Sequence, residues 1–280
     1  MEWLAELCAG FDGRVGVSAL NLQTNEQFLY HAEEMFPTAS AIKLAVLAAL
    51  MQQVEVGQYT LDAPLMLRRA DQISGSGILQ FLTPGLVMPL RDWAFLMMNM
   101  SDNLATNVLI DHVGLAYIQE WLAAHDYPDV QIHRKIDFGI LAQDITQLGT
   151  ATPSGLNRLM TAVFRQEILS PAACNEMLRM MDRVGSERVG RYLPFAFYGD
   201  ETPEEEKLRL AGKTGSLKGC RVQTAVVWRG TGANRRGFSI TVMADGDPAP
   251  ELWSADAAGV LLIGRIARAV YDQVFMANRP

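Results

Sequence analysis

The sequence predicts an α/β protein of the α+β type, in which the two ends of the chain form one antiparallel sheet and a helical region is inserted between them. Runs with strand character occur near both ends, whereas the middle of the chain has apolar residues at helical spacing. This order favours a sheet flanked by helices. We therefore expect a sheet domain of residues 1–37 and 205–280, an all-helical domain of residues 38–204, and a functional site between them.

The individual elements follow from the same periodicities. The predicted strands cover residues 14–22, 27–31, 208–214, 221–228 and 238–244. The predicted helices cover residues 3–9, a segment that has Ser40 in its first turn and ends before Gly57, and residues 90–99, 103–113, 116–125, 153–165, 171–181 and 255–275. Residues 126–152 have weak periodicity, and we expect them to form a long surface loop.

Composition limits the possible classes of function. The chain has 280 residues and a net charge of −7, which argues against nucleic acid as a partner. No apolar run reaches the ~18 to 20 residues of a membrane helix, so no membrane partner is expected. The start of the chain has no basic segment followed by a long apolar one. We expect a cytoplasmic protein if Met1 is the natural start, and a periplasmic or secreted one if an export signal has been removed.

A serine and a lysine stand one helical turn apart at the start of an apolar segment. Ser40 and Lys43 share one face of the predicted helix, and residues 44–50 behind them are apolar. A serine hydroxyl needs a base beside it to act as a nucleophile. A lysine amine can be that base when burial lowers its pKa. The pair indicates a nucleophilic serine, although an S-x-x-K pattern also arises by chance.

Two further short motifs follow in order. Ser101-Asp102-Asn103 precedes a predicted helix, and its serine or aspartate could simply cap that helix. Lys213-Thr214-Gly215-Ser216 ends a predicted strand and could be an ordinary edge-strand turn. Each motif alone is weak, but together with Ser40-x-x-Lys43 they form the three-part signature of β-lactamases and penicillin-binding proteins.

The chain resembles the class A β-lactamase and penicillin-binding-protein-like family of serine hydrolases, from about residue 13 to the closing helix. The resemblance implies a β-lactamase/transpeptidase-like fold and a small-molecule substrate: a β-lactam, an ester, an amide or a peptide. It implies neither a metal nor an organic cofactor, and the four histidines show no metal-ligand spacing. Segments outside the motifs that are similar to the family are residues 13–17, 34–39, 104–109, 150–153 and 225–228.

The resemblance also implies catalytic roles. Ser40 would attack a carbonyl carbon, and Lys43 would accept its proton directly or through water. Which group is the acylation base is disputed in the family. Ser101 would relay a proton to the leaving group.

Substrate-binding roles are implied in the same way. Asn103 would hold the substrate and Lys43. Lys213 would bind Ser101 and a substrate carboxylate, together with residues of its own motif, Thr214, Gly215 and Ser216. The backbone N–H groups of Ser40 and Ser216 would form the oxyanion hole, in which a single donor is typically worth ~10²- to 10³-fold in rate.

One departure from the family concerns hydrolysis of the acyl-enzyme. Class A β-lactamases carry a Glu-x-x-Leu-Asn pattern in an omega loop, and it activates the hydrolytic water. Counting along this chain puts Asp137, a candidate catalytic residue, at the glutamate position and Leu141 at the asparagine position. The aspartate is one methylene shorter, and leucine cannot bind a water. Residues 73–79 either line the mouth of the site or form a plain turn between helices.

Three functions remain open at this point. The chain opens β-lactam amides, with acyl transfer through Ser40 followed by hydrolysis. Alternatively, it is a penicillin-binding-like peptidase, esterase or amidase with slow or absent β-lactam deacylation. A third possibility is a binding or sensor protein that is acylated and stops there.

Overall fold

The structure, a computed structural model, describes residues 2–195 and 201–276. A five-stranded antiparallel sheet of strand order β2-β1-β10-β9-β8 forms its centre. Two smaller sheets, β3-β7-β6 and β4-β5, lie in the region between its two halves. The strands are β1 (Arg14–Asn21), β2 (Gln27–Tyr30), β3 (Phe36–Pro37), β4 (Pro64–Met66), β5 (Val87–Pro89), β6 (Val130–Ile132), β7 (Gly149–Ala151), β8 (Arg209–Leu217), β9 (Cys220–Arg229) and β10 (Arg236–Asp245).

Helices pack on both faces of the central sheet. The α-helices are α1 (Glu2–Ala9), α2 (Lys43–Glu55), α3 (Leu90–Asn99), α4 (Asn103–Val113), α5 (Leu115–Ala124), α6 (Phe138–Leu141), α7 (Pro153–Arg165), α8 (Pro171–Met180) and α9 (Ala258–Phe275). α1 and α9 share one hydrophobic core with the outer face of the sheet. α2 to α5, α7 and α8 share the second core, on the other face. The predicted fold class is confirmed: both ends of the chain supply the sheet, and the helical region is inserted between them.

The sheet is held by three hairpins and one long-range pairing. β1 pairs with β2, β8 with β9, and β9 with β10. β1 also pairs with β10 over its whole length, from Arg14 opposite Asp245 to Asn21 opposite Phe238. This last pairing joins the two ends of the chain. The domain boundaries at residues 37/38 and 204/205 stay a prediction.

Two predictions from the sequence were wrong in detail. The segment 126–152 is not one long loop, because it contains β6, α6 and β7, with β6 and β7 paired to each other. Each of these elements has only three or four residues, too few to show a period. Ser40 does not lie in the first turn of α2, but in a separate 3₁₀ turn, Ala39–Ile42, directly before it.

α2 lies at the centre of the inserted region. Ten of its thirteen residues are buried, including the unbroken run from Lys43 to Met51. A helix that is apolar on all sides is stable only when it is surrounded by protein. Within the described residues, none of the helices is long and apolar enough to cross a membrane.

Shortening a side chain in α2 tests this central position. We expect Leu47→Ala to lower the free energy of unfolding by about 2–5 kcal/mol, because Leu47 is fully buried and the substitution leaves a cavity. Val56→Ala, at an exposed residue just beyond the helix, is the control and should change it by less than about 0.5 kcal/mol. Urea unfolding measures both, and equal losses would contradict the central role of α2.

Candidate active site

The turn that carries Ser40 is held in an unusual backbone conformation. Ala39, just before it, has a φ of +45°, a region that residues other than glycine rarely adopt. Thr38 fixes the turn from the other side, because its hydroxyl donates to the carbonyl of Gly149 on β7 (3.0 Å). Ser40 itself is half-buried. Such local strain persists only where the surroundings hold it, and it is frequent at functional sites.

The third motif is pressed against this turn. Gly215 on β8 has no side chain, and a Cβ there would lie 2.7 Å from Thr38 O and 3.0 Å from Ala39 Cβ. Only glycine allows the strand to come so close. The close approach places residues 213–216 directly beside Ser40. These residues lie inside β8, which continues to Leu217, and not at the end of the strand as predicted.

Lys43 is fully buried and joins the first motif to the second. Its Nζ lies 2.9 Å from Ser101 O, 3.2 Å from Ser101 Oγ and 3.1 Å from Asn103 Oδ1. Burial lowers the pKa of Lys43 to about 7, and the charge of nearby Asp102 opposes part of this shift. A large fraction of the amine is therefore neutral near neutral pH. In that form two N–H groups can donate to the two carbonyl oxygens, while the lone pair is available to a hydroxyl.

The second motif is a rigid loop before α4. Ser101 has a φ of +51°, and Asp102 behind it is buried. One carboxylate oxygen of Asp102 accepts from Ala105 N and caps α4, and the other accepts from Leu79 N (both 2.9 Å). Of the two capping residues that the sequence allowed for this helix, the aspartate is therefore the one that caps it. The serine of the motif is left to face Lys43.

Residues 73–79 form a wall of the site and are not a plain turn. Asn103 donates from its backbone N–H to Ser76 O (3.0 Å) and from its side-chain amide to Ser74 O (3.3 Å). Gly77 has a φ of +102°, and a Cβ there would lie 2.2 Å from the buried carboxylate of the second motif. This segment therefore supports the loop that carries Ser101.

Lys213 is fully buried beside two other cations. Its Nζ donates to Thr214 O (2.8 Å), and among the described residues it has no hydrogen bond to a carboxylate. Burial, followed by the charges of Lys43 and Arg188, holds the pKa of Lys213 well below its usual value. An anionic group placed here would relieve this repulsion.

Sequence reasoning missed Arg188. It lies in the turn-rich segment after α8, and its Nη1 donates to Gly215 O (2.9 Å) and Val222 O (3.1 Å). Its Nη2 donates to Ser216 Oγ (2.8 Å). Burial lowers the pKa of Arg188 to about 10. The sequence gives no signal for this contact, since the segment has no periodicity and contains several arginines.

Asp137 is placed at the start of α6, where its side chain acts as a helix cap. Its Oδ1 accepts from Gly139 N (2.9 Å) and Ile140 N (3.3 Å). The residue before it is clamped to α4, because Asn107 donates to Ile136 O (2.9 Å) and accepts from Ile136 N (2.8 Å). Leu141 is buried in the core. Among residues 2–195 and 201–276, no group of three metal-binding side chains could hold an ion.

A model of the Beta-lactamase enzyme family matches residues 1–274. The chain belongs to this family. A curated β-lactamase of Rhodobacter capsulatus is 26% identical over 190 residues, which are 66% of this chain and 63% of that protein. Several other curated β-lactamases match over about a third of their length.

Solved structures of similar fold cover nearly all of this chain. A β-lactamase from Sphaerobacter thermophilus DSM 20745 has a TM-score of 0.81 and 28% identity, over 97% of this chain and 96% of that one. PBP-A has a TM-score of 0.79 over 97% of this chain and 94% of that one. Its identity of 24% supports the fold alone.

Two substitutions separate a capping role of Asp137 from a catalytic one. Asparagine caps a helix about as well as aspartate but cannot act as a base. We expect Asp137→Asn to leave hydrolysis of the acyl-enzyme unchanged, and Asp137→Ala to lower the free energy of unfolding by about 1 kcal/mol. Single-turnover kinetics and urea unfolding measure the two effects. A large loss of hydrolysis in Asp137→Asn would show that the carboxylate is the base.

Proposed function

We propose that the protein opens β-lactam rings by acyl transfer to Ser40 and hydrolyses the resulting ester slowly. The observation that carries this proposal is the buried Lys43 amine, with its pKa near 7, bonded to Ser101 and Asn103 one helical turn from Ser40. Such an amine can accept a proton at neutral pH, which an exposed lysine cannot do.

Acylation uses the residues that the structure brings together. The Ser40 oxygen attacks the carbonyl carbon while its proton passes to Lys43, directly or through water. The oxyanion is stabilised by the N–H groups of Ser40 and Ser216. When the C–N bond breaks, the proton reaches the leaving nitrogen through Ser101, which lies 3.2 Å from the Lys43 amine. Lys213 attracts a substrate carboxylate.

The omega-loop segment offers no equivalent set of groups for deacylation. Asp137 is the carboxylate that the sequence places in the omega-loop segment, and its Oδ1 is already used to cap α6. Leu141 is buried and offers no polar atom to a water. We therefore propose that acylation is faster than deacylation.

The same observation favours a second candidate, a penicillin-binding-like peptidase or esterase that is acylated by β-lactams without efficient turnover. A variant of PBP-A, which is 25% identical in a structural match over 97% of this chain, is described as an acyl-enzyme complex with penicillin-G. A role on cell-wall peptides would require export of the protein.

Replacing the nucleophile tests the proposal. We expect Ser40→Ala to abolish opening of a chromogenic cephalosporin, because Thr38, the other hydroxyl residue between β3 and α2, is fully buried and donates to Gly149 O. Ser254→Ala, at an exposed serine outside the three motifs, is the matched control. Ring opening by the Ser40→Ala protein at the rate of the control would overturn the assignment of Ser40.

The pH dependence of acylation tests the role of Lys43. Because the neutral amine is the active form and its pKa is about 7, the acylation rate should rise through about pH 7 and level off above it. Below this pH the rate should fall by about tenfold per unit. Stopped-flow acylation at a series of pH values gives the profile. A rate that is independent of pH between about 5.5 and 8.5 would contradict Lys43 as the base.

A further inference from the structure

We propose that Arg188 is a positioning residue for the oxyanion hole, and that Gln223 holds it in place. This inference rests on the proposed function, in which the N–H of Ser216 binds the oxyanion. It differs from the role of a counter-ion for the substrate, because it predicts that Arg188 matters even for a substrate without a carboxylate.

Arg188 contacts the peptide unit that joins Gly215 to Ser216. The carbonyl of Gly215 and the N–H of Ser216 belong to the same planar trans peptide and point in opposite directions. Arg188 Nη1 donates both to Gly215 O (2.9 Å) and to Val222 O on the neighbouring strand (3.1 Å). The Gly215 carbonyl therefore points toward β9. The Ser216 N–H points the other way, toward the free edge of β8.

The hydrogen bond from Arg188 to the Gly215 carbonyl also has an electrostatic effect. A hydrogen bond from a charged guanidinium is stronger than one between neutral groups. It polarises the peptide, and a polarised peptide has a stronger N–H donor on its far side. Arg188 Nη2 also binds Ser216 Oγ (2.8 Å), so the guanidinium holds the donor residue at two points. The third guanidinium nitrogen of Arg188, Nε, lies 3.5 Å from the carboxylate of Glu187.

Arg188 is itself held in place by a buried side chain. Gln223 on β9 is fully buried and spans the turn that carries the arginine. Its Oε1 accepts from Val189 N (3.0 Å), and its Nε2 donates to Val184 O (3.2 Å) and Gly185 O (3.4 Å). One side chain thus ties both ends of the turn to the strand next to β8.

A glycine makes this arrangement possible. Gly185 has a φ of +83°, and a Cβ there would lie 1.9 Å from Gln223 Nε2. The turn therefore packs directly on the amide of Gln223. Residues 213–216 and the turn 184–189 are joined through Gln223 and Arg188, although they are far apart in sequence.

The test compares benzylpenicillin, which carries a free carboxylate, with its methyl ester, in which that charge is absent. We expect Arg188→Met to slow acylation by both substrates by a similar factor, about 10- to 100-fold, because the oxyanion donor is misplaced for each. Arg188→Lys should also slow both, since an ammonium cannot reach all three acceptors with fixed geometry. The matched control is Arg191→Met, which removes an arginine of the same segment that binds Ala255 O and Asp256.

Gln223→Leu tests whether Gln223 holds Arg188 in place. Combined with Arg188→Met it should slow acylation no further than Arg188→Met alone, because residues that act through one another are not additive. Circular dichroism and urea unfolding show whether each variant is folded. If Arg188→Met does not fold, Arg188→Lys still tests the role of the guanidinium.

Two outcomes would overturn the proposal. Loss of benzylpenicillin acylation with unchanged acylation by the methyl ester would make Arg188 a counter-ion for the substrate only. If the effects of Gln223→Leu and Arg188→Met on the acylation rate were fully additive, Gln223 would not be the residue that holds Arg188 in place. Failure of the proposed function is a separate result, because acylation would then persist in Ser40→Ala.

Discussion

The burial of the Lys43 amine is the constraint on which the rest of the site depends. Burial lowers the pKa of this lysine to about 7, and the apolar helix α2 helps to provide the buried environment. A buried amine must still be hydrogen-bonded, and Ser101 and Asn103 meet this need. The second motif therefore has to be held rigidly. Asp102 does so by bonding to both α4 and Leu79.

The same constraint explains why the two halves of the fold must meet at this point. Gly215 brings β8, a strand from the end of the chain, against the turn before α2. Lys213 is buried there, and the nearby charge of Lys43 adds to burial in lowering the pKa of Lys213. Arg188 adds a third cation from a different segment. The protein as a whole is acidic, so this concentration of buried positive charge is a local feature of the site.

Long periodic elements and motifs could be predicted from the sequence, and short or non-local features could not. The helices α3, α4 and α7 were predicted with their exact bounds, since their apolar spacing and caps agree. The short elements between residues 126 and 152 have no period to detect. Arg188 reaches β8 only through tertiary structure. Asp137 was considered as a base, and its capping bonds to Gly139 and Ile140 could be seen only in the folded chain.

We propose that the site carries the groups needed for acylation, whereas the omega-loop segment lacks those for efficient deacylation. The most direct measurement is the intact mass of the protein after mixing with benzylpenicillin, followed from seconds to hours, with the modified residue located by peptide mapping. The account predicts a gain of one penicilloyl group on Ser40 that forms quickly and decays slowly. The absence of any mass gain, without release of penicilloate, would contradict it by moving the substrate away from β-lactams.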